Sequence, residues 1–205
     1  MDATDIISTI KDVFLGLSAV AVAIFAWLGL RTWRKELTGR AKFEFTRSMM
    51  HSCFELRAKF AGVRHPITKL YEWAERVPAD KETEAEAQQL NEWYAKTQRL
   101  NLVIESLNKI IEGEWEAKIL LDESSIKLIE EAVQSYRESY ADLSSAISTY
   151  FDITHDEART GEQYQNQEWL RGLKKTIYSA PNDDFSKKVD DTTDKLSSAL
   201  KQYVK

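Results

Sequence analysis

The apolar and polar positions of this chain open with a run that has no rhythm. From Val13 to Leu30 it reads VFLGLSAVAVAIFAWLGL, eighteen residues with no charge and no proline, and Ser18 is the one polar side chain. A helix apolar on every side has no face to give to water. About 20 helical residues at ~1.5 Å each cross the hydrocarbon core of a bilayer. Ile6, Ile7 and Ile10 extend the apolar surface upstream, and Trp27 and Trp33 fall near the interface. The pattern predicts a transmembrane helix over residues 13–30 behind a short tail, residues 1–12. A cleaved signal peptide needs a positive leading segment and a small-residue site after its apolar core. Here Asp2, Asp5 and Asp12 outweigh Lys11, and Ala21-Val22-Ala23 lies inside the run.

After the run the spacing becomes helical. Trp33, Leu37, Ala41, Phe45, Met49, Cys53, Leu56, Phe60, Val63 and Ile67 recur at threes and fours. They predict one helix from about residue 5 to about residue 64, with Arg40, Arg47, Arg57 and Arg64 outside the apolar stripe. Residues 65–80, bounded by Pro66 and Pro78, read as a connection whose aromatics Tyr71 and Trp73 pack on the helices. Asp80 is the expected N-cap of a second helix ending near Glu112, with a seam of Leu90, Trp93, Thr97, Leu100, Ile104, Leu107 and Ile111. Gly113 is expected to break it, so that Trp115 to Leu121, a short apolar helical segment, turns the chain.

Asp122 or Ser124 then caps a third helix running to about Asp152. Its seam is Ile126, Ile129, Val133, Tyr136, Tyr140, Leu143, Ile147 and Tyr150, and Ser135, Ser139, Ser144, Ser145 and Ser148 read as a solvated face or, in the alternative, as small residues that admit another helix closely. Residues 153–168 read as a loop with some helical content. An amphipathic segment follows from Trp169 to Tyr178, then a turn at Pro181 to Asp184. A last helix starts near Asp184 or Ser186 and uses Phe185, Val189, Leu196, Leu200 and Tyr203. Two long seams joined by a short turn make an antiparallel hairpin. The predicted fold is all-α: an N-terminal transmembrane helix continuing into a cytoplasmic antiparallel four-helix-type bundle over residues 31–205. The seams lack the flanking charge pairs of a coiled coil between chains.

Charge adds an orientation. One basic residue, Lys11, precedes the run, whereas Arg31, Arg34, Lys35, Arg40, Lys42 and Arg47 follow it. Basic residues favour the cytoplasmic side. The expected placement is a single pass of the inner membrane, N-terminus outside and C-terminal domain cytoplasmic. Arg31, Arg34, Lys35 and Arg40 are the candidate membrane-surface cations. The chain carries a net charge of −5, and residues 76–205 alone sum to −8, which argues against nucleic acid as a partner. Cys53 is the only cysteine, so no internal disulfide forms.

Candidate chemistry is sparse. His51, His65 and His155 lie far apart in sequence and outside any zinc spacing. His155-Asp156 resembles a phosphohydrolase dyad, but a dipeptide at a helix end has a simpler role beside the helix dipole. No Glu-x-x-His, P-loop, dinucleotide glycine motif or nucleophile elbow occurs. No catalytic residue, metal, cofactor or small-molecule substrate is expected, and Cys53 reads as a buried thiol. Gly16, Ala19, Ala23 and Ala26 share one face of the apolar run, a row that favours helix pairing in lipid. Trp169, Arg171, Lys175 and Tyr178 are the candidate partner surface, since Trp, Tyr and Arg dominate binding hot spots.

Two short stretches carry a resemblance. Trp33-Arg34-Lys35-Glu36-Leu37-Thr38-Gly39-Arg40-Ala41 to Phe45, with Val63-Arg64-His65-Pro66, is similar to a set of uncharacterised bacterial single-pass inner-membrane proteins. Asn182-Asp183-Asp184-Phe185-Ser186-Lys187-Lys188-Val189-Asp190 is similar too. The resemblance implies a bacterial inner-membrane protein and no particular activity. The expected function is a membrane-anchored scaffold or regulatory subunit that binds the bilayer and either a protein partner or its own copies. The alternative is an effector that oligomerises in the membrane and perturbs it, of toxin or antiviral-defence type.

Overall fold

The computed structural model describes the backbone of residues 3–204 and the side chains of residues 14–204. Those residues form five α-helices and two short 3-10 turns, with no strand among them. The helices are α1 (Ala3–Arg64), α2 (Glu84–Leu120), α3 (Glu123–Thr160), α4 (Gln167–Ile177) and α5 (Asp184–Leu200). The chain divides into two compact units, Met1–Glu44 and Phe45–Lys205. The expected tail, residues 1–12, and the side chains of Ile6, Ile7, Ile10 and Val13 lie outside the described residues, apart from the helical backbone of residues 3–12.

In the first unit α1 holds, among the described residues, the one helical stretch long and apolar enough to cross a membrane, with a mean hydropathy of 1.9 over eighteen residues and none of that window buried. In the second unit the core begins at Phe45 and continues through Met49, Cys53, Leu56, Phe60 and Val63. Trp33 and Leu37, expected in the same stripe, are exposed. Each step of four residues overshoots a full turn by about 40°. A row of fours therefore drifts round the helix, and only the 4-4-3-4-3 set from Phe45 holds one face.

The starts of the helices are written in local side chains. Helix α2 begins at Thr83, not at Asp80. Thr83 and Glu86 form a capping box, with Glu86 N–H donating to Thr83 Oγ1 at 3.2 Å and Thr83 N–H donating to Glu86 Oε2 at 2.8 Å. Lys81 takes a positive φ of 70°, which no helix starting at Asp80 accommodates. Asp122 caps α3, Asn166 caps α4 and Asp183 caps α5, each accepting from the N–H three residues on.

The ends were harder to foresee. Gly113 does not break α2. A Cβ at that position would stand 2.5 Å from the Met49 Cε. The glycine costs the helix about 1 kcal/mol against alanine but lets α1 and α2 approach, as buried Ala117 does one turn on. The turn comes at Leu121-Asp122 instead. Helix α3 likewise runs through the expected loop to Thr160, because Phe151 stacks on Trp93 at 4.5 Å and on His155 at 5.2 Å. It stops at Gly161, whose φ of 77° is left-handed. Gly161→Ala is expected to lower stability by about 1 kcal/mol in urea denaturation.

Helices α2 and α3 form an antiparallel hairpin. Trp93 near the start of α2 meets Phe151 near the end of α3, and Lys118 near the end of α2 pairs with Glu130 at 3.0 Å. The seam of α2 is rotated from its expected position. Leu100 and Leu107 are buried, but their buried neighbours are Lys96, Val103 and Ile110, while Trp93, Thr97, Ile104 and Ile111 are half-buried. A lysine within the 4-3-4-3 row disguised it. On α3 the serines are not all solvated. Ser139 is buried, and Ser135 shares a 2.9 Å hydrogen bond with Thr192 of α5. Tyr136 and Thr193 share another at 2.8 Å. These small side chains admit α5 closely, while Ser145 and Ser148 stay exposed.

Candidate functional site

Arg64 was expected outside the apolar stripe, yet it is 1% exposed and is the largest fully buried side chain among the described residues. All five guanidinium N–H groups are matched. Nε donates to Thr176 O at 2.8 Å, Nη1 to Asp183 Oδ1 and Ser186 Oγ at 2.7 Å each, and Nη2 to Lys175 O at 2.9 Å and Tyr178 O at 3.1 Å. Phe185 lies beneath it, 4.5 Å from the ring centroid. The accepting carbonyls belong to the last turn of α4 and the residue after it, where helical partners run out and the dipole favours a cation. Ser179 N–H returns a bond to Arg64 O at 3.0 Å. One side chain thus ties the end of α1 to the end of α4 and the cap of α5.

The final carbonyls of α1 are satisfied by cations from α2. Lys96 Nζ donates to Val63 O at 2.7 Å and His65 O at 3.1 Å. Arg99 donates to Gly62 O at 2.9 Å and Ile67 O at 2.8 Å, and grips Glu72 with both carboxylate oxygens. The Lys96 ammonium stands 4.6 Å over the Tyr178 ring. The Tyr178 hydroxyl donates to Glu92, and burial together with that bond raises its pKa. The cavity beside this group, lined by Glu92, Trp93, Lys96, Tyr150, Phe151 and Tyr178, measures about 20 Å³. That is room for about one water and no substrate.

Burial pushes the Lys96 ammonium down to about 8, and the Arg99 charge adds to burial while Glu92 and Glu72 oppose it. An unfolded lysine titrates near ~10.4. Between those values the unfolded chain holds a proton that the folded chain has released, so the Lys96 contribution to stability rises with pH. Below about 8 the folded state carries the full desolvation cost. Lys96→Met removes this slope. From about pH 7.5 to about pH 10 the stability of the wild type should gain about 2 kcal/mol on the variant. Parallel urea-denaturation curves across that range would count against a buried ammonium here.

The structure does not bring the four residues of the expected partner surface together. Arg171 and Lys175 are exposed one turn apart on α4. Trp169, two residues and about 200° from Arg171, leans on Tyr164 with ring centroids 5.9 Å apart. Tyr178 points inward to Glu92. A different apolar surface is open. The last turns of α1, the 65–72 connection and α2 frame a groove of about 700 Å³. Ala61, Gly62, Ile67, Tyr71 and Leu102 are among the residues that line it. Tyr71, expected to pack inward, is 69% exposed, Ile67 64% and Leu102 47%. Trp73 is half-buried, as expected. No sequence signal marks this groove, because the same residues in a connection serve equally as core.

In the first unit the row Gly16, Ala19, Ala23 and Ala26 is exposed, with nothing within 4 Å of a Cβ built at Gly16. Ser18 Oγ donates to Phe14 O at 2.8 Å. Arg31, Arg34 and Lys35 are exposed, and Arg31 stands 5.8 Å over the Trp27 ring. Arg40 pairs with Glu44 at 2.9 Å. Among the described residues no group of three or more His, Cys, Asp or Glu is placed to hold a metal ion. No protein-family model matches the chain, and neither a curated protein nor a solved structure matches it significantly.

Proposed function

We propose that this chain is a single-pass membrane protein whose cytoplasmic part, an antiparallel four-helix-type bundle, binds a second protein and performs no catalysis itself. The N-terminus lies outside, the bundle lies on the basic, cytoplasmic side of the inner membrane, and the role is that of a scaffold or regulatory subunit. The placement is supported by the uncovered apolar run and by the basic residues that follow it. The binding role is carried by the groove at Ile67, Tyr71 and Leu102. Large apolar side chains left in water around a concavity mark interaction surfaces. The fitting occupant is an apolar-faced helix or strand of the partner, laid against Ala61 and Gly62.

The test is purification from native membranes in mild detergent, with mass read by light scattering and composition by mass spectrometry. A stoichiometric complex that Ile67→Ser/Tyr71→Ser/Leu102→Ser dissolves, with helical content unchanged, is the expected result. A lone monomer would oppose it. A pure homo-oligomer broken by Gly16→Leu or Ala23→Leu would favour the membrane-acting effector instead. That reading rests on the exposed small-residue row. It is weakened at Ser18, whose hydroxyl is spent on its own helix, leaving no polar side chain in the run for a water-filled path.

A further inference from the structure

The basic residues that follow the apolar run do not share a face. At about 100° per residue, Arg31, Arg34, Lys35 and Lys42 fall within one arc of α1. They line, with Trp27 and Thr38, a shallow concavity of about 570 Å³ that has no carboxylate in its wall. Glu36, Arg40 and Glu44 fall on the opposite side, where the Arg40–Glu44 pair balances itself at 2.9 Å. Arg40 was expected to belong with Arg31, Arg34 and Lys35, and the helix separates it from them. The sequence shows a basic stretch, whereas the helix shows one cationic face and an opposite face with two carboxylates and one guanidinium.

We infer that the Arg31–Arg34–Lys35 face binds the phosphate headgroup of an anionic phospholipid in the leaflet beyond Leu30. The inference rests on the reading that residues 13–30 span a membrane. Arg31, Arg34 and Lys35 follow Leu30 within about 8 Å along the axis. The headgroup layer of one leaflet extends about 5–8 Å beyond the hydrocarbon. The three cations therefore fall at phosphate depth, next to a tryptophan of the kind that settles at the interface. A guanidinium fork matches two phosphate oxygens, and two arginines with a lysine on one face supply more donors than one phosphate needs. The Thr38 hydroxyl is engaged with Arg34 O at 3.0 Å, so recognition falls to the cations.

The decisive experiment places the full chain in lipid discs of phosphatidylcholine with and without phosphatidylglycerol. The lipids retained on the protein are then counted by native mass spectrometry. The wild type should retain phosphatidylglycerol preferentially. Lys35→Glu combined with Glu36→Lys keeps composition, net charge and depth, but puts a carboxylate on the cationic face. It should lower the preference by about fivefold or more, since each surface cation contributes about a fivefold effect. Lys35→Gln should lower it less, and Arg40→Gln with Glu44→Gln should leave it unchanged.

A swap variant that matches the wild type would overturn the inference, because only the diffuse attraction of net charge would remain. So would a wild type with no lipid preference. Alkaline carbonate extraction separates this from the underlying reading. A wild type stripped from membranes would overturn the span itself, whereas one that stays embedded without lipid preference overturns only the headgroup site.

Discussion

Arg64→Met is expected to destabilise the helical unit by about 3–5 kcal/mol, the cost of leaving one partner of a buried ion pair alone. The substitution keeps most of the apolar stem but removes five donors at once. Asp183 then loses the guanidinium that Nη1 brings to 2.7 Å, and the carbonyls of Lys175, Thr176 and Tyr178 lose their cation. Arg64→Lys should recover only part of this, because an ammonium is a point charge with three donors and no fork. Urea denaturation of the full chain in detergent, followed by circular dichroism, gives the difference. A midpoint that moves by less than about 1 kcal/mol would mean that the buried arginine is replaceable.

The same variant should change how the stability of the fold depends on pH in acid. Burial alone would raise the Asp183 pKa, but the Ser186 N–H, the Arg64 guanidinium, the Ser186 hydroxyl and the Ala180 N–H outweigh it and hold the carboxyl at about 2. An unfolded aspartate titrates near ~3.9. Its stabilisation is therefore complete above that value and lost as pH falls through about 2. Without Arg64 the folded pKa rises towards the unfolded one and this dependence flattens, so the deficit of the variant against the wild type should narrow as pH falls from about 4 towards about 2.

On the proposal that residues 13–30 span a membrane, Val20→Arg/Ile24→Arg is expected to release the chain from membranes with its helical unit still folded. Each arginine near the centre of a span costs about 2.5–3.5 kcal/mol of insertion free energy. The pair lies one turn apart on one face and doubles the cost without a counter-charge. Both positions are exposed, at 58% and 52%, so no internal packing is lost. Alkaline carbonate extraction should move the variant from pellet to supernatant, while its urea midpoint stays at the wild-type value. A variant retained in the pellet would mean that something other than the apolar run holds this protein at the membrane.

Most of the helical content was legible because local rules wrote it. The unbroken run, the absence of proline before Pro66 and the cap at Asp122 all act within a few residues. Most differences arise where a distant partner overrides a local preference. Gly113 is a helix breaker by propensity, but Met49 from α1 packs on its bare Cα. The residues after Asp152 are polar by composition, yet Trp93 from α2 stacks on Phe151 and carries α3 another eight residues to Thr160. Asp80 has the chemistry of a cap, but the Thr83–Glu86 box, equally local, sets the start of α2.

The candidate sites divide in the same way. The run from Val13 to Leu30 and the cations after it are a matter of order along the chain, and the sequence alone determined both. Helical periodicity then separates Arg40 from Arg31, Arg34 and Lys35, a step that needed only the helix to be continuous. Tertiary structure decided the rest. Arg64 reads as a surface cation and Lys96 carries no sequence signal, because a charge is costly to bury and nothing nearby in sequence offers either a partner. Their partners are Asp183 and the carbonyls of α4 for one, and Val63 O and His65 O for the other, supplied from 31 to 119 residues away. Tyr178 turned inward and Tyr71 outward for the same reason: an amphipathic side chain suits either side, and only the packed helices determine which face each one meets.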